Sequence, residues 1–315
     1  ARAALGGPDD PAGGAPMSAA YDAIAPVYDA DMGASMAFDD TGWYRALALA
    51  AHGPVLELGC GTGRVLSALL AAGVPATGVD RSGPMLHQAR LRCGPQAPLL
   101  RMDLRALALR GDFALALLPY SLATYLLDDG DWAALAAGLR EALRPGARVV
   151  VDAFIPQPRV AGGGWLRDYA RRVDGTWLVR HKRVTPLTGG CHRIERRYRM
   201  RGAFGGQTLV TTEVIRPYTP ERLVAQVRSH FGPVLRVDYD YTPGRSAAGA
   251  KATGSKGRAA AAAPNAASGL IRASAAAAAS RFAVSSWAAM SAAAAASRSA
   301  CASWRTRSAP TRRSR

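Results

Sequence analysis

A run of apolar residues leading directly into closely spaced glycines constrains this chain more than any other part of its sequence. Val55-Leu56-Glu57-Leu58 is a short apolar stretch, typical of a buried strand, with one acid inside it. Gly59, Gly61 and Gly63 follow at alternate positions, and a helical pattern starts at residue 64. Because glycine has no Cβ, such a loop can turn sharply and bring backbone amides close to a ligand. The pattern predicts a ligand-binding strand–loop–helix unit of an α/β fold.

The spacing of this loop differs from that of a dinucleotide-binding loop. The dinucleotide pattern G-x-G-x-x-G requires a glycine at position 64, where this chain has Arg64. Glu57 is an unfavourable neighbour for a pyrophosphate, whereas a carboxylate suits a ligand that carries an ammonium group. Cys60 has no adjacent basic partner and is predicted to fill space in the loop instead of acting as a nucleophile. A nicotinamide-dependent dehydrogenase is therefore disfavoured.

The rest of residues 19–242 alternates strand-like and helix-like segments, which is the pattern of βαβ units. Predicted strands span 54–58, 75–80, 97–101, 112–117, 147–152 and 234–241, and predicted helices span 19–35, 40–51, 64–72, 83–92, 131–143 and 220–230. Residues 163–217 differ, because strand-like runs at 176–184, 191–200 and 208–216 are separated by glycine-rich turns. We therefore predict a Rossmann-like α/β fold: a mostly parallel central sheet with helices on both faces and a small antiparallel insert.

Carboxylates follow the second and third predicted strands. Asp80 ends the second strand, 21 residues after Gly59, and Asp103 follows the third strand within Met102-Asp103-Leu104. The carboxyl ends of parallel strands are where open α/β sheets bind ligands. Asp80 is placed to accept hydrogen bonds from a ribose diol, and 102–104 to hold an adenine. Each acid has a second interpretation as the cap of a helix or turn.

Composition changes outside the predicted domain, residues 18–245. Residues 1–17, rich in Gly and Pro, are predicted to be a disordered leader. Residues 246–315 contain 28 Ala, 13 Ser, 11 Lys or Arg and no acid. This low-complexity tail is predicted to be disordered or translated from a shifted reading frame, and it shows no convincing strand. It carries +11 of the net charge of +17, which weakens the case for a nucleic-acid-binding domain.

The cysteines and the overall hydrophobic pattern favour a cytoplasmic protein. The four cysteines lie far apart without a CxxC pair, which disfavours a zinc site or a disulfide framework and suits a reducing compartment. The chain has no run of about 20 strongly apolar residues, so a membrane span is not expected. Several basic residues of the insert are predicted to form a solvated face or a rim: Arg193, Arg196, Arg197, Arg199 and Arg201.

The segments VLELGCGTGRV, GVDRS, MDL and LREALRPGARVVVDAF resemble those of class I S-adenosylmethionine-dependent methyltransferases. The resemblance covers about residues 19–242. YDAIAPVYD, at 21–29, is similar to the N-terminal helix of the small-molecule branch, which includes glycine/sarcosine and amino-sugar N-methyltransferases. S-adenosylmethionine is the cofactor that the resemblance implies. The family closes its sheet with a final antiparallel strand, which the sequence after 241 does not show.

The resemblance also implies which part of the cofactor each segment contacts. The loop at 59–63, oriented by Glu57, would lie against the methionine part, Asp80 against the ribose, and 102–104 around the adenine. Tyr21 and Tyr28 would lie on a helix that covers the cofactor. The implied cofactor-binding residues are Tyr28, Glu57, Gly59, Cys60, Gly61, Gly63, Asp80, Arg81, Met85, Met102, Asp103, Leu104 and Pro119.

Residues 118–121 follow the fourth predicted strand, where this family meets the methyl group and the substrate, so Tyr120 is the candidate catalytic residue. The predicted reaction is in-line methyl transfer to a small-molecule acceptor, with the insert over the acceptor pocket. No clear base constellation follows the fourth strand, which favours an amine over a hydroxyl acceptor. Two alternatives stay open: a nucleic-acid methyltransferase and a catalytically inactive cofactor-binding scaffold.

Overall fold

The computed structural model describes residues 17–33, 39–154, 164–173, 175–202, 206–241, 243 and 281–287. The helices are α1 (Met17–Ile24), α2 (Tyr28–Gly33), α3 (Asp40–Leu49), α4 (Arg64–Ala71), α5 (Gly83–Cys93), α6 (Asp129–Ala142) and α7 (Pro220–Phe231). The strands are β1 (Val55–Leu58), β2 (Ala76–Asp80), β3 (Leu99–Arg101), β4 (Phe113–Leu118), β5 (Leu143–Phe154), β6 (Leu166–Val173), β7 (Thr176–Pro186), β8 (His192–Arg201), β9 (Thr208–Ile215), β10 (Val234–Tyr239) and β11 (Arg281–Trp287). None of the helices in these ranges is long and apolar enough to cross a bilayer.

The larger sheet has the strand order β10-β11-β5-β4-β1-β2-β3. Strands β1 to β5 are parallel, and β11 runs antiparallel to both of its neighbours. β1 is buried along its whole length, as expected of a parallel strand covered by helices on both faces. The carboxyl ends of β1, β2 and β4 therefore meet at one edge of the sheet. The predicted α/β architecture with a mostly parallel sheet is confirmed.

Apolar side chains cover both faces of this sheet. On one face Trp132 of α6 is fully buried with Leu223 and Phe231 of α7, and its indole nitrogen donates to the Tyr218 hydroxyl at 2.9 Å. On the other face, α3 and α4 pack through Tyr44 and other buried residues. The core thus lies in two layers around the sheet, and the helices hold the strand ends at fixed positions.

Strand β11 corrects the expectation that residues 246–315 contain no strand. Arg281–Trp287 pairs antiparallel with β5 on one side and with β10 on the other. Its sequence, RFAVSSW, has few of the branched apolar residues by which a buried strand is recognised, so the pattern hid it. Backbone pairing does not depend on side-chain type, and without β11 the facing backbone groups of β5 would lack partners. Residues 1–16 and the rest of the tail lie outside the described residues.

The predicted N-terminal helix over 19–35 is broken in two. α1 ends at Ile24, a 3₁₀ turn spans Ala25–Val27, and α2 starts at Tyr28. Pro26 causes the break, because proline has no N–H to donate and its ring clashes with the preceding turn of a helix. The break lets the two short helices meet different parts of the domain.

The four-stranded sheet β6-β7-β8-β9, called the cap sheet below, is antiparallel throughout. Three of its strands were predicted, but β6 was not, because LRDYARRV has too few apolar residues to read as a strand. Leu178, Tyr198 and Met200 of its inner face pack against α1. The cap sheet therefore rests on the N-terminal helix, and its residues Val184, Ile194 and Ile215 also pack against Phe154 at the end of β5.

The predicted solvated arginine face is wrong for Arg196. Side chains alternate between the two faces of a strand, and Ile194, Tyr198 and Met200 are buried, so Arg196 also points inward. There it forms an ion pair with the buried Glu213. Arg193, Arg199 and Arg201, on the alternate positions of β8, are exposed.

A chain that ends at residue 280 is expected to melt roughly 10 °C or more below a chain that ends at residue 288. The shorter chain lacks β11 and exposes the backbone of β5, whereas the longer chain keeps the strand and serves as the matched control. Thermal unfolding followed by circular dichroism measures the difference. Equal melting temperatures would show that residues 281–287 do not complete the sheet.

Candidate active site

A cavity opens where the carboxyl ends of β1, β2 and β4 meet, between these ends and the N-terminal helices. Eleven of the predicted site residues line it: Tyr28, Gly59, Gly61, Asp80, Arg81, Met85, Met102, Asp103, Leu104, Pro119 and Tyr120. These residues come from five separate segments of the chain. The cavity is thus at the edge of the sheet that the sequence predicted, and the role of each residue toward a cofactor stays a prediction.

The glycine loop is held to the second strand by one carboxylate. Asp80 accepts a hydrogen bond from the Gly61 amide at 2.8 Å and a second, through its other oxygen, from the Ser82 amide at 2.8 Å. Burial raises the pKa of Asp80, and these amide donors oppose that rise. A carboxylate has about four acceptor positions, so Asp80 can brace the loop and still accept from hydroxyls in the cavity.

The three glycines of the loop all have positive φ, and two of them are also required by close packing. A Cβ on Gly59 would lie 2.7 Å from Leu122, and one on Gly63 would lie 2.8 Å from the sulfur of Cys93 in α5. A Cβ on Gly61 would meet no heavy atom closer than 4.0 Å, because that position faces the cavity. Gly61 is therefore the glycine of the loop with the most open space beside its Cα.

Three predicted cofactor-binding residues do not line the cavity: Glu57, Cys60 and Gly63. Cys60 is buried, with its sulfur close to Gly78 of β2, and Gly63 packs against α5. Burial raises the pKa of the Cys60 thiol well above its usual value, which agrees with a space-filling residue. The packing of Cys60 against β2 and of Gly63 against α5 accounts for a small residue at each position, without any contact to a ligand.

Glu57 is a buried carboxyl inside β1. It is 2% exposed, and its Oε2 has no hydrogen-bond partner among the described residues. Burial raises the pKa of Glu57 to about 8, although Arg64 nearby opposes the rise. A buried carboxylate without a partner is costly, which is why burial favours the protonated form of Glu57.

The N-terminal helices are tied to the glycine loop by polar contacts. The Thr62 hydroxyl donates to Asp29 of α2 at 2.7 Å, and Arg92 of α5 bridges the Thr62 carbonyl and Asp29. In α1, Asp22 accepts from the hydroxyl of Ser82, which caps α5. These contacts hold Tyr21 and Tyr28 over the cavity, in agreement with the predicted covering helix.

Asp103 both caps a turn and lines the cavity, which are the two roles that the sequence allowed for it. It caps the 3₁₀ turn at 104–106 by accepting from the Arg105 amide at 2.9 Å, and it also lines the cavity. The Arg105 guanidinium lowers the pKa of Asp103, with a weaker contribution from Arg81 at 3.4 Å. The two lining arginines are thus both paired to Asp103, which leaves the cavity without a free cationic group among the described residues.

The turn after β4 is strained and firmly held. Tyr120 and Ser121 have φ of 57° and 63°, in a region that residues other than glycine seldom adopt. The Ser121 amide donates to the buried Asp152 of β5, and the Arg64 guanidinium lies 5.6 Å from the centre of the Tyr120 ring. This arrangement fixes Tyr120 at the cavity wall.

Sequence reasoning missed two lining residues of the same turn, Leu122 and Tyr125. Both lie in the short 3₁₀ helix Leu122–Tyr125. Its spacing brings the Tyr125 ring to 6.0 Å from Tyr21 of α1, measured between ring centres. The aromatic residue in the run SLATY was the available signal, but nothing local showed that the run would curl back to the cavity.

Comparisons with known proteins agree with this geometry. Residues 55–146 match the family model described as "Methyltransferase domain". The dTDP-3-amino-3,4,6-trideoxy-alpha-D-glucopyranose N,N-dimethyltransferase of Streptomyces venezuelae is 31% identical over 126 residues, covering 40% of this chain. The match spans 52% of that relative, about half of its length.

Solved structures share the fold over most of their length. The CcbJ methyltransferase of Streptomyces caelestis superposes with a TM-score of 0.62 at 21% identity, covering 85% of this chain and 98% of that one. DesVI of Streptomyces venezuelae gives 0.56 at 23% identity, covering 71% and 92%. CalS10 of Micromonospora echinaspora, an amino pentose methyltransferase solved with S-adenosylmethionine, gives 0.54 at 20% identity, covering 82% and 96%.

Residues 55–146 are thus similar to a methyltransferase domain, and the fold is that of the solved methyltransferases. The predicted fold is thereby confirmed, and the order of the larger sheet places β11 where a final antiparallel strand was expected. The glycine loop and Asp80 form one side of the cavity, and Tyr21 of α1 lies on another. The cap sheet packs against α1, but none of its described residues lines the cavity, so the predicted position of the insert over the acceptor pocket stays a prediction.

Replacing Glu57 by Gln is expected to stabilise the ligand-free protein at high pH and to change little near pH 5. The unfolded carboxyl loses its proton above about pH 4.5, whereas the folded one keeps it up to about pH 8. The wild type therefore loses stability as the pH rises through this window, by a few kcal/mol at most, and Glu57→Gln does not. Thermal melts from pH 5 to 8.5 measure the difference.

The exposed Glu141→Gln variant is the control for this experiment, because Glu141 is 65% exposed and its replacement should leave the pH dependence unchanged. A constant gap in melting temperature between wild type and Glu57→Gln at all pH values would contradict the assignment of a proton to the buried carboxyl.

Proposed function

We propose that this protein transfers the methyl group of S-adenosylmethionine to the nitrogen of a small-molecule amine. One observation carries the proposal: a cavity at the carboxyl edge of the sheet combines an exposed glycine loop, the Asp80 carboxylate and a wall of four tyrosines. The fold, the family match and the relatives' printed activities support the same function.

The residues present fit the cofactor. The open position at Gly61 leaves room for a chain to lie against the backbone. Asp80 has acceptor positions left for a ribose diol. The two lining arginines are already paired with Asp103, so no free cation opposes a sulfonium. A pyrophosphate would find none of the positive charge that it needs.

When bound, the cofactor supplies a methyl group already activated by its positive sulfur. The protein's part is to align the reacting atoms and to exclude water. The strained turn at Tyr120 places an aromatic ring at the wall, and the tyrosine faces of Tyr21 and Tyr28 offer electron-rich surfaces to a positive charge. The helices that carry the latter two residues close the cavity from above.

The lining residues favour an amine acceptor. Neither histidine nor lysine lines the cavity among the described residues. Asp80 braces the glycine loop and Asp103 is paired with Arg105, so neither lining carboxylate is placed to serve a hydroxyl acceptor as its base. Burial raises the pKa values of Tyr21 and Tyr125 well above the usual range, so both remain neutral phenols. The curated relative is named as an N,N-dimethyltransferase of an amino sugar. We propose the same class of acceptor, a small amine.

An acceptor screen tests the proposal. Wild-type protein with S-adenosylmethionine is expected to methylate at least one of glucosamine, glycine and benzylamine, but not catechol. Mass spectrometry measures the product, because a methyl group in place of a hydrogen adds about 14 Da. Asp80→Ala should weaken cofactor binding by about 10- to 100-fold in calorimetric titration, the value of a hydrogen-bonded charge. Glu141→Gln is the matched control.

The outcomes separate the alternatives. Methylation of catechol alone would overturn the amine assignment, and equal affinity in wild type and Asp80→Ala would overturn the ribose assignment. Cofactor binding without any methylated product, from this panel or from a wider set of amines and phenols, would support the inactive scaffold.

A nucleic-acid partner is a second candidate, because the outer face of the cap sheet is strongly basic. Arg167, His181 and Arg197 stand opposite one another across β6, β7 and β8, and burial together with the neighbouring arginines lowers the pKa of His181. Glu195 is the one acid of this face among the described residues, and it is paired with Arg183. Such a face would bind a phosphate chain through charge.

If the outer face binds RNA, replacing Arg197, Arg199 and Arg201 together by Ser should weaken binding of a single-stranded oligonucleotide. The slope of log affinity against log salt should fall by about 2, since each lost phosphate contact removes about 0.7. Fluorescence anisotropy between 50 and 300 mM salt measures it. An unchanged slope would assign any binding to the basic residues of 246–315 and remove this candidate for the domain.

Finally, we propose a cytoplasmic location. Cys60, Cys93 and Cys191, the three described cysteines, are all free thiols, which suits a reducing compartment.

A further inference from the structure

A chain of hydrogen bonds runs from the cavity wall into the cap sheet. The hydroxyls of Tyr21 and Tyr125, which both line the cavity, are hydrogen-bonded to each other. The Tyr125 hydroxyl donates to Oε2 of Glu213 at 2.7 Å, and Arg196 pairs with the other oxygen of Glu213. Four residues from four elements thus form one continuous polar path, called the tyrosine relay below.

The direction of the hydrogens in this relay follows from the chemistry of its members. Each phenol has one hydrogen to donate. The hydrogen of Tyr125 goes to the Glu213 carboxylate, so the hydrogen between the two tyrosines is donated by Tyr21. The Tyr21 oxygen is left with free lone pairs and no further donor among the described residues. It can therefore accept an N–H from a ligand in the cavity.

Glu213 is a carboxylate in the interior of the protein, where a charged group is costly. It is 3% exposed on the inner face of β9, beside the buried Ile215 and Thr211. The charged groups that face it are Arg196 of β8, with which it forms an ion pair, and Lys182 of β7. A buried carboxylate at the end of a directed chain of hydrogen bonds has an oxygen that can take up a proton.

We infer that the tyrosine relay is the binding site for the protonated amine of the acceptor and carries its proton to Glu213. This inference rests on the proposed function and adds the subsite and proton path of the same cavity. The ammonium of the acceptor donates to the Tyr21 oxygen. Its proton passes to Tyr21 as the hydrogen of Tyr21 moves to Tyr125 and that of Tyr125 moves to Glu213.

The step leaves both partners in the required form. Glu213 becomes a neutral acid, the two phenols are regenerated, and the acceptor becomes a neutral amine with a free lone pair. That lone pair forms the N–C bond while the C–S bond breaks, and the electron pair of the latter stays on sulfur. The methylated product leaves as an ammonium, and Glu213 returns its proton to water once the product has left.

The relay also joins the cap sheet to the large domain, so a merely structural role has to be separated from proton uptake. Glu213→Gln keeps an oxygen that accepts from Tyr125 but cannot take up a proton. The pH dependence of kcat/KM distinguishes the two roles, because a variant that has only lost packing falls equally at all pH values.

With the amine of the screen that is turned over fastest, Glu213→Gln is expected to lower kcat/KM about 100-fold at pH 7. The deficit should shrink as the pH approaches the pKa of the amine in solution, where the acceptor is already neutral. Tyr21→Phe, which removes the hydroxyl and keeps the ring, should show the same pH-dependent deficit. Affinity for S-adenosylmethionine should stay within twofold of wild type in both variants.

Glu195→Gln is the matched control, because Glu195 lies on the neighbouring strand β8 but on the outer face, paired with Arg183. Parallel pH profiles of wild type, Glu213→Gln and Tyr21→Phe would overturn the inference, even if all three turn over amines. If Glu213→Gln does not fold, Tyr21→Phe alone decides. A wild type that methylates no amine at all would instead overturn the proposed function.

Discussion

The hydrogen bond from the Gly61 amide to the Asp80 carboxylate joins the parts of the fold on which the site depends. It links the loop after β1 to the end of the neighbouring β2, and the second oxygen of Asp80 holds the start of α5. One half-buried carboxylate thereby links the loop after β1, the end of β2 and the residue before α5. The same group remains able to accept from a ligand, so structure and binding use one side chain.

The N-terminal segment contacts both the glycine loop of the larger sheet and the cap sheet. Asp29 of α2 is tied to the glycine loop, and Asp31, almost fully buried, accepts two hydrogen bonds from Arg180 of the cap sheet and a third from Tyr198. Buried ion pairs of this kind add little net stability but penalise any other arrangement of their partners. The position of α1, and with it the tyrosine relay, follows from these pairs.

Much of the candidate site could be predicted from local patterns. The glycine spacing, the acid at the end of β2 and the acid after β3 each lie within a few residues of a recognisable strand, and parallel strands bring such ends together. The pattern could not show which loop positions face the cavity. Cys60 and Gly63 instead satisfy packing against β2 and α5, which depends on elements distant in sequence.

The sequence by itself determined the strand–loop–helix units and the parallel sheet, because these follow from apolar periodicity and glycine spacing within short segments. Tertiary structure alone decided that Tyr125 and Glu213, 88 residues apart, share a hydrogen bond, and that Arg196 points inward. It also decided that Arg281–Trp287 completes the sheet. In each case the deciding interaction is a pairing between distant segments, and no local pattern of side chains records it.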